Sequence, residues 1–278
     1  MKLNKVILIF AMMIFSSQIF ADISSGAKSL IDNFFELRMN LSKNDYETSE
    51  GRNFIIGQIE NFKADNSAQI ELLNEEENLI LENFFIMEVY NYLYKLPGQD
   101  KIQHEILGKQ LEKLENFSKK NDGSFSAYFY CTMADVTSCF MGYSVSDVLK
   151  YGTKVKPLYE KALEKTPDLS YALTNIGQWY YFAPKITGGS KKKALSYFEN
   201  ARQNAKTNAE KYFADIFLSQ LLFENEEFVR AEELVNEADS FCPESFYIKT
   251  IKTANKNGIS LYEYNKKNSA LNEEYEKK

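Results

Sequence analysis

Residues 170–206 read SYALTNIGQWYYFAPKITGGSKKKALSYFENARQNAK. Leu173, Ile176, Gly177 and Tyr180 fall at i, i+3, i+4 and i+7, which is one face of a helix. A break follows between Ala183-Pro184 and Gly188-Gly189, after which Ala194, Phe198 and Ala201 mark one face of a second helix. Two striped helices with a short link form an αα-hairpin. Gly177 and the alanines let the two axes approach closely, and Tyr180 and Phe198 fill the space between them.

The pattern recurs. Tyr159-x-x-Ala162, Phe198-x-x-Ala201 and Val235-x-x-Ala238 place their alanines 39 and 37 residues apart, and Pro167 and Pro243 each follow an alanine by five residues. At the offsets of Leu173, Ile176, Gly177 and Tyr180, the next helix carries Asp215, Leu218, Ser219 and Leu222. A period of this length marks stacked helix hairpins, each burying its apolar face on its neighbour.

These residues resemble the tetratricopeptide repeat (TPR) over about 122–243: a large residue, an apolar-Gly pair and Tyr on helix A, then Ala, an aromatic and Ala on helix B. The resemblance implies an α-solenoid whose A helices line a concave binding face. Carried over position by position, that face holds Tyr171, Thr174, Gln178 and Tyr181 in one repeat and Phe213, Ile216, Gln220 and Phe223 in the next. It is aromatic, with two glutamines and no charge, which suits an apolar peptide, a helix or a small hydrophobic ligand; the other reading is core between adjacent repeats. The link Phe182–Ser190 delays Ala194 by five residues relative to a standard repeat, and the preceding repeat carries a long link around Gly142–Gly152. This loop before Lys192-Lys193-Ala194-x-x-x-Phe198-x-x-Ala201 is similar to the T-component of TPR-associated TRAP transporters, the TatT family. That resemblance implies an exported protein partnering a periplasmic solute-binding subunit. Ser190 reads as an N-cap with Lys191–Lys193 in the first turn, so Gly188, Gly189 and Ser190 are either a solvated loop or an anion site.

Outward from the repeats, Met1–Ala21 shows a basic start at Lys2 and Lys5, an apolar run Val6–Phe15 and a small-residue end, the order of a cleaved secretory signal. The apolar run is short for a transmembrane span, and an uncleaved anchor is the other reading. Helical spacing continues through Leu30–Leu37, Phe54–Phe62, Glu75–Leu96 and Ile102–Phe117, with Leu41–Asn53 as a loop and Pro97-Gly98 joining a hairpin. The long helix at 75–96 presents Leu79, Phe84, Met87, Tyr90 and Tyr94 on its apolar face. The chain then divides into a signal peptide (1–21), a divergent helical region (22–121), TPR-like repeats (122–255) and a capping helix or frayed tail (256–278). The expectation is an all-α protein of about nine or ten helices.

Composition bounds the function. The 278 residues carry a net charge of −6, and removing Lys2 and Lys5 takes this to −8; an acidic chain without a basic block argues against nucleic acid or an anionic membrane as partner. One histidine, His104, disfavours a multi-histidine metal site or a histidine triad; its spacing from Leu107 reads as core or rim. Cys131 and Cys139 lie about 12 Å apart if their helix is continuous, too far for a disulfide, and with Cys242 they read as small buried residues. Asp135 sits in the apolar run Ser124–Met141 and needs a partner, such as a neighbouring Tyr or Thr, or a shifted pKa. The functional expectation is a non-enzymatic scaffold of the periplasm or cell envelope that binds a protein or peptide, with no metal and no cofactor. The alternative is a TRAP-type accessory subunit passing a hydrophobic or organic-acid solute.

Overall fold

Side-chain caps decide where most helices begin. Ser24, Thr48, Asn74, Ser126, Ser144, Ser190, Thr207 and Ser245 each accept a hydrogen bond from a backbone N–H one turn on, and Asn74 with Glu77 and Thr207 with Glu210 complete reciprocal capping boxes. The computed structural model describes residues 22–94, 96–121, 124–265 and 267; the leader read at Met1–Ala21 lies outside them. The described residues hold α1 (Ser25–Leu41), α2 (Ser49–Asp65), α3 (Ser67–Ile70), α4 (Glu75–Leu93), α5 (Asp100–Lys120), α6 (Ala127–Phe140), α7 (Val145–Tyr151), α8 (Val155–Lys165), α9 (Ser170–Phe182), α10 (Lys191–Asn204), α11 (Asn208–Glu224), α12 (Phe228–Phe241) and α13 (Phe246–Lys256). Residues 261–265 are helical as well, and the described residues contain no strand.

The protein is therefore all-α, with more helices than the nine or ten expected. The excess includes α3 and α7, too short to show a periodic stripe; α7 fills the stretch read as a link between Gly142 and Gly152. The loop read at Leu41–Asn53 shrinks to Ser42–Thr48, because Thr48 caps α2 and Gly51 sits in its first turn. In α4 the buried residues are Glu77, Ile80, Leu81, Asn83, Phe84, Phe85, Glu88 and Tyr90; of the expected face, Phe84 and Tyr90 are buried, Leu79 and Met87 pack on the core with part of their surface open, and Tyr94 is exposed. The helix packs on α1, α2, α5 and α6, so its apolar residues encircle it and give no single stripe.

The repeat positions are core. Ala162, Ala201, Ala238, Phe198 and Ile176 are fully buried, and Tyr159, Leu173 and Tyr180 nearly so. The α6/α8, α9/α10 and α11/α12 pairs pack along their lengths, α8 meets α9, and α10 meets α11. α6 also touches α9, and α9 touches α11. A second set of contacts folds the start of the chain onto this stack. α1 crosses both α4 and α11, and the Ser42 hydroxyl at its end meets the Tyr212 and Ser245 hydroxyls, each at 2.9 Å, in a buried triangle. One apolar core runs continuously from Leu30 to Leu261.

The closest helix crossing lies at Gly177, where a Cβ would stand 2.6 Å from Phe198 Cε1 and 3.3 Å from Tyr197 Cβ. Gly177→Leu should therefore cost at least about 1–3 kcal/mol, the usual toll of overpacking, read as a lowered Tm. Gly57 gives the opposite case, an exposed glycine inside α2 with nothing within 4 Å of a Cβ. Gly57→Ala should stabilise by about 0.5–1 kcal/mol. Unchanged stability in the first variant would remove Gly177 from a helix contact.

Candidate functional site: the inner face of the A helices

Several of the residues expected on the ligand-facing side of α9 and α11 are met by other segments of the same chain. The Tyr171 ring stacks on Phe35 of α1 at 5.3 Å. The Phe213 ring lies under the Arg38 guanidinium, 4.9 Å from its centroid. Tyr181 packs on Tyr262 at 4.5 Å and its hydroxyl donates to Glu224. Gln220 is fully buried and accepts the Leu261 N–H at 2.7 Å. Thr174 and Ile216 are buried, Gln178 donates to Asn175 at 2.9 Å, and Phe223 meets the Phe228 ring at 5.1 Å. Tyr171, Gln178, Tyr181, Phe213 and Phe223 keep part of their surface open.

The face is not free of charge, as the repeat positions alone suggested: Glu224 at the end of α11 meets Tyr181, and other parts of the chain bring further charges. Arg38 Nε donates to Glu88 Oε2 at 2.5 Å, and Glu88 Oε1 accepts the Tyr92 hydroxyl at 2.9 Å. Burial works against the arginine's charge, but Glu88 outweighs it together with Tyr171 and Tyr92, and the Arg38 pKa is raised. Among the described residues Nη1 and Nη2 donate to no protein acceptor, and 19% of the side chain stays open. Arg38 also lies over the Phe35 ring at 5.5 Å, so its guanidinium points between two aromatic faces. Burial, with the neighbouring carboxylates Glu88 and Asp135 adding to it, pushes the Tyr92 and Tyr171 hydroxyls well above their usual value, and both side chains remain partly open.

Asp135 lies beneath Tyr171, bonded to its hydroxyl. Its carboxylate accepts Tyr159 at 2.5 Å and Tyr171 at 2.6 Å, with Asn175 Nδ2 at 3.4 Å. Burial lifts its pKa to about 6 against the opposing pull of both hydroxyls and Arg38. The sequence raised Asp135 as a buried carboxylate in search of a tyrosine, and α8 and α9 each supply one. Arg38 and Glu88 escaped notice there, although each is a lone charge beside apolar neighbours, Phe35 and Met39 in one case and Phe84 and Phe85 in the other.

The other singled-out groups lie elsewhere. His104 sits on the rim of α5, stacked on Phe140 at 4.4 Å, with Nε2 3.2 Å from Asp147 Oδ2. Cys131 and Cys139 are on one unbroken helix, α6, and all three cysteines are free thiols. Gly188 adopts φ +101 and Ser190 caps α10. The Gly188, Gly189 and Ser190 N–H groups donate to Lys185, Pro184 and Tyr180 carbonyls, so the loop uses them internally. Among the described residues, no group of three or more His, Cys, Asp or Glu is placed to hold a metal, and no helix is long and apolar enough to cross a membrane.

No known protein-family model matches the chain, and no curated protein matches it.

The Asp135 environment gives a pH signature. A carboxyl whose folded pKa is raised stabilises the fold fully below its unfolded value near 4, and that contribution is lost as pH rises through about 6. Asp215, also lifted to about 6 by burial, titrates in the same window against Arg202. Asp135→Asn should therefore flatten the fall in unfolding free energy between about pH 4 and 7 by roughly half, measured by denaturant titration. An unchanged slope would mean that Asp135 carries no such shift.

Proposed function

We propose that the chain is an exported, non-enzymatic TPR-like α-solenoid, and that it acts as a binding scaffold in the periplasm or cell envelope. Its inner face takes an apolar helix or peptide of a partner protein. The observation that carries this reading is that the same face already grips helical pieces of its own chain. Phe35 of α1 lies on Tyr171, and Tyr262 lies on Tyr181. A row of rings between close-packed helices recognises a helix by shape and apolar area, and the open parts of Tyr171, Gln178, Tyr181, Phe213 and Phe223 remain for a partner.

The recess at Arg38 favours a second reading: an accessory subunit of a TRAP-type transporter that meets a solute-binding protein and passes a hydrophobic or organic-acid solute. A guanidinium with uncommitted Nη groups between Phe35 and Phe213 suits a carboxylate on an apolar body.

Capture of the partner from the native envelope tests the scaffold reading. Tyr181→Ala and Phe223→Ala should each weaken capture about tenfold or more, since truncating a buried aromatic anchor removes about 1.5–3 kcal/mol. Lys192→Ala, exposed on α10, should leave it unchanged. Circular dichroism monitors the fold. Retained helicity with lost capture supports the face, and collapse of helicity in both aromatic variants assigns the rings to the core and overturns the reading.

A further inference from the structure

A groove of about 360 Å³ opens between α5, α6, α7 and α8, away from the inner face. Met133, Tyr151, Pro157 and Leu158 give it an apolar floor. Its rim is basic: Lys154 and Lys161 line it directly, and its continuation is bounded by Lys119, Lys150 and the Ser118 hydroxyl. Lys150 and Lys154 both stand over the Tyr151 ring, each 4.7 Å from its centroid, and Lys161 stands over Tyr130 at 5.7 Å.

Several other lysines of the same helices are paired with acids. Lys109 pairs with Glu105 and Lys113 with Glu82 on α5, and Lys156 pairs with Glu160 on α8. At the groove the pairing stops: among the described residues, Lys119, Lys150, Lys154 and Lys161 have no acid within ion-pair distance. The acid in the lining, Glu115, forms no such pair, and nearby Asp147 is engaged by His104. Four ammonium groups spaced along the groove, against Glu115 in its lining and Asp147 beside Lys150, leave a locally basic surface on a chain of net charge −6. Charges farther away than about 10 Å are screened, so this local cluster decides what enters.

We propose that this groove binds a phosphate group carried on a small apolar body, with Lys119, Lys150 and Lys154 around the phosphate in its continuation and the apolar part on Met133, Tyr151 and Leu158, flanked by Lys161. Lysines are compact point charges suited to the multiple charge of a phosphate, whereas carboxylate recognition calls on the planar fork of arginine, and the groove has no arginine. The Ser118 and Thr153 hydroxyls add hydrogen-bonding capacity at its edge. The phosphate has two sources, a soluble phosphate ester or a phospholipid headgroup. The second gains interest from Val145, Val148 and Leu149, which expose an apolar stripe on α7 next to Lys150.

The test uses the full chain with methyl-labelled methionine. Titration with phenyl phosphate should shift the Met133 signal, and benzyl alcohol should not. A Lys150→Gln/Lys154→Gln double variant should weaken the phosphate affinity about tenfold or more, and Lys192→Gln should leave it unchanged. Raising salt from about 20 to about 200 mM should weaken binding several-fold. Co-sedimentation with phosphatidylglycerol vesicles, absent with phosphatidylcholine and lost in the double variant, assigns the phosphate to a lipid headgroup. A Met133 shift without vesicle binding assigns it to a soluble ester. If neither probe binds, or if either binds equally well without the two lysines, the proposal fails.

Discussion

The docking of α1 across α4 and α11 is the constraint on which the rest of the molecule depends. α1 buries Ala27, Leu30, Ile31, Phe34, Phe35, Met39 and Leu41, drawing the N-terminal helices and the repeats into one core. Each large apolar side chain so buried is worth about 1.5–3 kcal/mol, and a domain's net stability is only about 5–15 kcal/mol. The Ser42, Tyr212 and Ser245 hydroxyls fix the end of this helix, and Cys242 adds a bond to the Met39 carbonyl at 3.2 Å. A buried hydroxyl without a partner is costly, so the triangle specifies one register of α1 on the stack.

The same docking gives the inner face its chemistry. The repeats contribute rings and amides, α1 brings Arg38, α4 brings Glu88 and Tyr92, and α6 brings Asp135. The result is a recess whose polar groups are mostly paired with one another, apart from the Arg38 Nη groups. The groove at α5–α8 differs, with four lysines and one acid, Glu115, in its lining and no ion pair formed among them. One surface is arranged for shape and apolar area, the other for charge.

What the sequence revealed follows the range of each interaction. The α8–α12 hairpins were legible because their information is local: Ala162, Ala201 and Ala238 recur, and Gly177 faces Phe198 only 21 residues on. Asp135 was legible as a buried carboxylate because its neighbours along the helix are apolar. The covering of Tyr171 and Phe213 by α1 was not, because the partners lie more than 130 residues away and leave no periodic trace. The apolar face of α4 was read only in part, Phe84 and Tyr90 but not Ile80, Leu81 and Phe85, because four neighbouring helices take its surface in different directions. The lysine groove was hidden by averaging. Lys119, Lys150, Lys154 and Lys161 are scattered along an acidic chain and converge only when α5, α7 and α8 meet.

The triangle at Ser42 also sets an order of events in folding. Its members are separated by 170 and 203 residues, so the first helix of the described chain finds its seat only after nearly the last has been made. Closing so long a loop costs entropy before any contact compensates it. The local hairpins α9/α10 and α11/α12 can assemble earlier, leaving Tyr171 and Phe213 uncovered in the interval. During that interval the nascent chain presents two complementary sticky surfaces, a free amphipathic helix and an empty aromatic trough. Two such chains meeting at high concentration can exchange their first helices, so α1 is the segment through which this protein would form domain-swapped dimers.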